Sequence, residues 1–507
     1  MANLKSLAKD TAIYGMSSII GRCLNYLLVP IYTAKLTAAS GGYGVITNLY
    51  AYTALLLIIL TYGMETTYFR YANKSNENPE RVYSTILLSV GFTSLMFIAL
   101  IFLFLHQISG FMGYSDHPSY VWVMGTTVAI DAFQCIPFAY LRYKNRPIKF
   151  ATLKLIAIVM TILLNIAYFI VLPTLYKSSP DVIGKIYSPT VGAGYAFYIN
   201  LFCTASTTFF FYKELTGFKY VFDKNLMKRM MSYSWPILIL GVAGILNQAA
   251  DKILFPYIYK GSDMKMQLGI YGAASKIAMI MVLITQAFRY AYEPFVFGRA
   301  KDNDNRETYA KVMKYFVIFT LLAYLVVIGY MGALKHIIGH DYWDGLRVVP
   351  IVMVGTIMYG IYFNLSFWYK LIDKTIWGAY FSGIGCVVLI ISNILFIPRF
   401  GYMACAWSGI TGYGTSMLIS YFVGQKMYRI NYPIADMMKY VLLCVILNIG
   451  MYFSNQYLAS AAAIGINTLL IILFATYVIK KDFPLSSLPV IGKHFKNSNN
   501  NNKNKYY

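Results

Sequence analysis

Apolar residues in this chain gather into fourteen blocks, at about 11–34, 41–63, 83–105, 119–141, 150–172, 192–212, 232–258, 268–295, 312–333, 347–369, 376–398, 402–424, 435–454 and 460–479. Each is close to the roughly 20 residues a helix needs to cross a bilayer. The stretches between them are short and polar. The longest on the expected outer side, 173–191, is too small to fold alone. The pattern predicts an all-α polytopic membrane protein of about 14 transmembrane helices. The end of the chain, NSNNNNKNKYY, is polar and of low complexity, which predicts a disordered cytoplasmic tail.

Composition narrows the class further. Of 507 residues, 58% are hydrophobic and 12% are charged. A soluble domain has about 45–50% apolar and about 25% charged residues. An ordinary soluble enzyme of several domains is excluded, and so is general disorder, which needs low hydrophobicity. The first apolar block follows Lys5 and Lys9 and has no small-residue cleavage pattern, so it reads as a retained first helix. The six cysteines lie in apolar segments without a CxxC pair, which points to neither a zinc site nor a disulfide framework. No cofactor is indicated.

The net charge of +23 first suggests a polyanion partner. Its distribution says otherwise. With the N-terminus placed inside, thirty of the 43 basic residues fall in inner loops or the tail, eight fall outside, and five lie within helices. That asymmetry is the positive-inside signature. It predicts both termini in the cytoplasm and gives no reason to expect nucleic acid.

A shift of 228 residues superimposes the two halves of the chain. It places Tyr43-Gly44 on Tyr271-Gly272, Glu65 on Glu293, Phe69 on Phe297, Arg142 on Lys370, Arg146 on Lys374 and Asn165 on Asn393. One constant offset aligning three helix pairs predicts two six-helix lobes in parallel order, related by an axis along the membrane normal. The expected organisation is an N-lobe at 1–214, a C-lobe at 215–425, two extra helices at 426–482 and the tail at 483–507.

Candidate chemistry lies in the charges within helices: Arg22, Lys154, Lys252, Lys276, Arg289, Asp131, Asp251 and Glu293. A charge at the bilayer centre costs about 2.5–3.5 kcal/mol on insertion scales, so it persists where it meets a partner or a wet cavity. Arg22, with Asn25 and Tyr26 one turn on, reads as an anion contact or as half of a buried pair with Asp131. Asp131 is then a counter-ion or a proton site. Arg289 and Glu293 are one turn apart and can neutralise each other. Lys276 is expected nearer the outer side, about 220° around the helix from Arg289. Asp251 and Lys252 are expected as a local pair, and Lys154 is expected to snorkel to the cytoplasm. His336 and His340 lack a third metal ligand. Asp302-Asn303-Asp304 sits in a loop too short for a nucleotide-sugar domain. No Walker A or Gly-x-Ser-x-Gly pattern occurs.

Several segments resemble one family. They are Gly21-Arg22-Cys23-Leu24-Asn25-Tyr26 through Pro30-Ile31-Tyr32-Thr33, Tyr140-Leu141-Arg142 through Arg146-Pro147, and Ala287-Phe288-Arg289 through Glu293-Pro294-Phe295. Asn364-Leu365-Ser366 through Lys370, and Asn393 through Pro398 with Gly401-Tyr402, complete the set. The chain resembles bacterial polysaccharide flippases of the O-antigen and capsule type, within the multidrug/oligosaccharidyl-lipid/polysaccharide exporter superfamily. The resemblance implies a twelve-helix core around a central cavity plus two extra helices, in the bacterial inner membrane. The implied substrate is a polyprenyl-diphosphate-linked oligosaccharide. By position, Arg22, Arg70 and Arg289 fit the diphosphate contacts, with Lys276 and Asn25 as further candidates. Asp131, Asp251 and Glu293 are candidate coupling or counter-ion acids for H+ or Na+. Membrane lipids and other glycan-assembly proteins are the remaining implied partners. Readings left open are a drug or metabolite antiporter of the same superfamily, a membrane polymerase or acyltransferase, and a scaffold for glycan assembly.

Overall fold

The computed structural model describes residues 26–73, 77–298, 306–372 and 374–482, the side chains of 290–298 excepted. The principal helices are α1 Leu28–Lys35, α2 Gly42–Thr61, α3 Met64–Ala72, α4 Pro79–Leu103, α5 Pro118–Tyr143, α6 Pro147–Ile166, α7 Gly194–Phe209 and α8 Lys224–Ile258. They continue with α9 Met264–Gly298, α10 Arg306–Gly329, α11 Val349–Leu365, α12 Ile376–Phe400, α13 Tyr402–Met427, α14 Ile434–Tyr457 and α15 Ser460–Asp482. Among the described residues, eleven helical stretches are long and apolar enough to cross a membrane, α2 with α3 counting as one. The end of the first apolar block is α1, and α7 and α13 are the remaining two blocks. Every one of the fourteen predicted blocks is thus helical where it is described.

Local signals set the helix ends. Asn78 caps α4, its side chain accepting from the backbone N–H groups of Glu80 and Arg81, with Pro79 in the first turn. Asp223 caps α8 in the same way through the N–H groups of Asn225 and Leu226. The break between α2 and α3 is made by two left-handed residues, Tyr62 at φ 32° and Gly63 at φ 73°. Gly63 is needed twice over there. Its backbone conformation strains any L side chain, and a Cβ would sit 3.0 Å from the Ile237 side chain.

The chain divides into two compact units. One takes residues up to Ile277 together with Ile337–Gly355 and Thr375–Ser416. In it α5 packs against α2, α4 and α7, while α8 packs against α2 and α12. Its apolar core includes Tyr68, Tyr83, Ile86, Val90 and Ile136, all at most 1% exposed. The other unit takes Ala278–His336, Thr356–Lys374 and the chain from Met417. There α10, α14 and α15 form a mutually packed trio. Asn467 ties it together, donating to the Gly329 carbonyl and to Asn455 Oδ1. Large apolar side chains such as Phe92, Leu95, Leu103, Ile446 and Leu469 lie on the outside. Water penalises such a surface and hydrocarbon does not, as a membrane span requires.

Two pairs of positions that the 228-residue shift relates lie in the first unit. Asn165 and Asn393 are both fully buried. Each accepts a hydroxyl hydrogen bond on Oδ1, from Tyr32 at 2.8 Å and from Ser408 at 2.9 Å. Gly44 and Gly272, also repeat-related, both lie where α2 crosses α9.

Candidate functional site

That crossing lies at the end of the first unit expected outside the cell. A Cβ on Gly44 would fall 1.9 Å from the Lys265 carbonyl oxygen, and one on Gly272 would fall 2.2 Å from Thr47 Oγ1. Only hydrogen on these carbons lets the two helices approach so closely. Around them, Tyr342 Oη donates to the Leu36 carbonyl at 2.5 Å. The Gly339 N–H donates to Thr33 Oγ1 at 2.9 Å. Asn48 Nδ2 donates to the Lys252 carbonyl, and Tyr114 Oη donates to Asn48 Oδ1, both at 2.8 Å. The Tyr43-Gly44 repeat marked this place in the sequence. Gly269, Gly339 and Tyr342 carried no signal of their own there.

Next to the crossing lies a charged cluster. Asp251 receives both the ammonium and the backbone N–H of Lys252, and also the Tyr271 hydroxyl at 2.5 Å. The two charges neutralise each other locally. Lys276 is different. It stands twelve residues into α9, which runs Met264–Gly298, and so lies within the span on the expected outer side of the helix's middle. Among the described residues Lys276 has no carboxylate partner, and its electrostatic neighbour is another cation, Lys252. With Asp251 already committed, the cluster carries one uncompensated positive charge.

A second polar cluster occupies the middle of α5. Asp131 accepts from Thr204 Oγ1 on α7 at 3.3 Å. The Lys154 ammonium lies 4.0 Å from the Phe138 ring centre and within electrostatic reach of Cys135 and Asp131. It is held against α5 beside Phe138, five residues before that helix ends at Tyr143. Aromatic attraction and a nearby carboxylate compensate for lost hydration there.

The remaining candidates are spread. Arg70, exposed at the end of α3, stacks on Tyr233 at 4.0 Å. Arg142 pairs with Glu65 and faces Phe69. In the second unit, Arg289 stacks on Phe363 at 3.8 Å, with Tyr359 in electrostatic reach. Arg22, Asn25 and the Glu293 side chain lie outside the described residues. A planar guanidinium on an aromatic face keeps its N–H edge directed outward, the geometry used for phosphate oxygens.

Comparison with known proteins gives the fold and the family. The structure superposes on the lipid II flippase MurJ in its inward closed conformation, with TM-score 0.70 and 15% identity, covering 92% of this chain and 98% of that one. An inward-facing MATE-family multidrug resistance transporter of the MOP superfamily gives TM-score 0.62 at 12% identity, with 85% and 96% covered. The MATE multidrug transporter DinF-BH gives 0.57 at 15% identity, with 83% and 96% covered. No curated protein matches the sequence. The profile of the polysaccharide biosynthesis protein family matches residues 7–291, more than half of the chain. The chain therefore belongs to the polysaccharide biosynthesis protein family, built on the fold shared by MurJ and the MATE transporters of the MOP superfamily.

Proposed function

We propose that the protein is a flippase that moves a polyprenyl-diphosphate-linked oligosaccharide from the cytoplasmic to the outer leaflet for cell-surface polysaccharide synthesis. It sits in the bacterial cytoplasmic membrane with both termini inside, and it works without chemical conversion of its cargo. The observation that carries this reading is Lys276, an ammonium within a membrane-spanning helix with no carboxylate among the described residues to neutralise it. An anion is the ligand that relieves such a charge, and a diphosphate brings at least two negative charges into a medium where attraction is weakly screened. Arg70, stacked on an aromatic ring, presents a further guanidinium edge, and Arg22, Asn25 and Arg289 are joined to it by sequence position alone.

Transport follows alternating access. The tight α2–α9 crossing closes one end while cargo enters from the other, and parting those helices releases it. Asp131 is the candidate coupling acid, because Thr204 is its hydrogen-bond partner and Lys154 its nearby cation. Asp251 acts instead as counter-ion to Lys252.

The fold shared with MATE transporters favours a second reading, export of a small drug or metabolite. The two differ in the charge of the cargo, and an uncompensated Lys276 suits an anion. In cells lacking the protein, lipid-linked oligosaccharide stranded on the cytoplasmic leaflet supports the flippase. Normal surface glycan with impaired small-molecule efflux supports the antiporter.

A further inference from the structure

The first unit carries a groove that the transport reading leaves unused. A cavity of about 580 Å³ opens between α4, the α2–α3 break and the start of α8. Tyr62, Leu88, Phe92, Phe222, Met227 and Met231 line it, and its walls are almost wholly apolar. Pockets for bound organic ligands run from about 300 to 1,000 Å³, so the size suits one. It opens sideways. Phe92 and Phe222 on its rim are 68% and 53% exposed on a surface that faces hydrocarbon.

Two features mark it as more than a gap between helices. The first is Tyr62, which forms part of the lining. This residue is held at φ 32°, a left-handed conformation costly for a bulky side chain. It is buried, at 8% exposure, and its hydroxyl has no hydrogen bond of normal geometry, although Ser89 and Thr93 are near. The second is the mouth. Thr85, one turn from Ser89 towards the expected cytoplasmic end, contacts the Asp223 backbone. At that level stand Arg81, paired with Asp223, and Arg229, paired with Glu77. Both arginine side chains stay more than half exposed, and Lys224 and Lys228 on the same turns add two further cations.

Against Asp223, Glu77 and the neighbouring Glu80 these four cations leave the rim with a net charge of about +1. An apolar, laterally open groove below such a rim matches one kind of molecule: an anionic head on a long hydrocarbon tail. We propose that this groove holds the polyprenyl chain of the lipid-linked substrate, with its diphosphate first meeting the Arg81–Arg229 rim. This rests on the flippase reading above. The Tyr62 ring adds packing surface to the groove, and the diphosphate head received at the mouth sets this tail apart from an ordinary phospholipid chain. Met227 and Met231 adapt their shape to a methyl-branched chain.

The test uses full-length protein in lipid nanodiscs doped with polyprenyl diphosphate. Phe92 is replaced by the photoreactive p-benzoylphenylalanine, and Leu103, equally lipid-facing at the far end of α4, is replaced likewise as the control. After illumination, mass spectrometry reads the adducts. The proposal expects prenyl adducts at position 92 several-fold above those at 103, with phospholipid adducts equal at both. Equal prenyl adducts at the two positions overturn it, since the groove is then ordinary annular lipid. A transport assay separates the two claims. If the protein flips lipid-linked sugar and a folded Ser89→Trp variant, which fills the groove, flips it at the same rate, the groove role fails while the flippase stands. If the wild type does not flip it, the flippase reading fails and the adduct pattern alone decides the groove.

Discussion

Adding one methyl group at Gly44 should unlatch the sealed end. In Gly44→Ala the new Cβ would lie 1.9 Å from the Lys265 carbonyl oxygen and 2.9 Å from its carbon, both backbone atoms that cannot rotate away. Ordinary contact begins at 3.4 Å, so α2 and α9 must part locally by about 1.5 Å. Forcing an extra carbon into a packed contact costs typically 1–3 kcal/mol. The strain acts only while the seal is shut, so it shifts the closed-to-open ratio by roughly 5- to 150-fold. The readout is Thr47→Cys in a background without the six native cysteines, labelled by a water-soluble maleimide. Thr47 is the side chain that a Cβ on Gly272 would strike, so its reactivity reports the crossing itself. Labelling should accelerate by about one to two orders of magnitude when Gly44→Ala is added, in line with that shift. Gly244→Ala is the control, because nothing lies within 4 Å of its Cβ position. Unchanged labelling in a Gly44→Ala protein of normal thermal stability would refute the idea that this crossing is the movable seal.

Three further predictions separate structural from functional charges. Lys276→Met should raise the thermal midpoint, since it removes an intramembrane charge costing up to about 2.5–3.5 kcal/mol, and should abolish stabilisation by polyprenyl diphosphate; a lowered midpoint would show that Lys276 is a structural partner. Asp251→Asn should destabilise by on the order of 3 kcal/mol, because it strands the Lys252 ammonium, and Lys252→Met in the same chain should restore much of the loss. The Leu226 backbone N–H first, and Arg81 after it, hold the Asp223 carboxyl below the usual carboxylate range. A depressed carboxylate contributes stability above its unfolded value and loses it as pH falls through the folded one. The gap in thermal midpoint between wild type and Asp223→Asn should therefore be full at neutral pH and close below about pH 4.

Much of the fold was legible because hydrocarbon imposes a simple rule. Long apolar runs can only be helices there, and the fourteen runs are helical where described. Element ends were less visible. The start of α9 ahead of its apolar run hid four residues of helix, Met264-Lys265-Met266-Gln267, which mix polar with apolar side chains. The repeat was legible as polar identities at one offset, and it located both Asn165/Asn393 and the glycine crossing. The partners at the seal were not, because Gly339 on Thr33 and Tyr342 on Leu36 join residues 306 apart in sequence and draw on backbone groups any residue supplies. The partner of Lys154 was not legible either, because Phe138 lies on another helix and periodicity says nothing about contacts between helices. The groove at Tyr62 had no sequence signature, since left-handed backbone at a tyrosine follows from packing and not from residue type.

Translocation in proteoliposomes tests the central claim most directly. Purified protein is reconstituted with a fluorescent polyprenyl-diphosphate oligosaccharide, and a membrane-impermeant reagent follows its passage between leaflets. The account predicts movement that needs the protein, falls at least tenfold in Lys276→Gln, about 1.4 kcal/mol of lost cargo stabilisation, and is not competed by small organic cations. Movement at the protein-free rate, or full activity without the Lys276 charge, would contradict it.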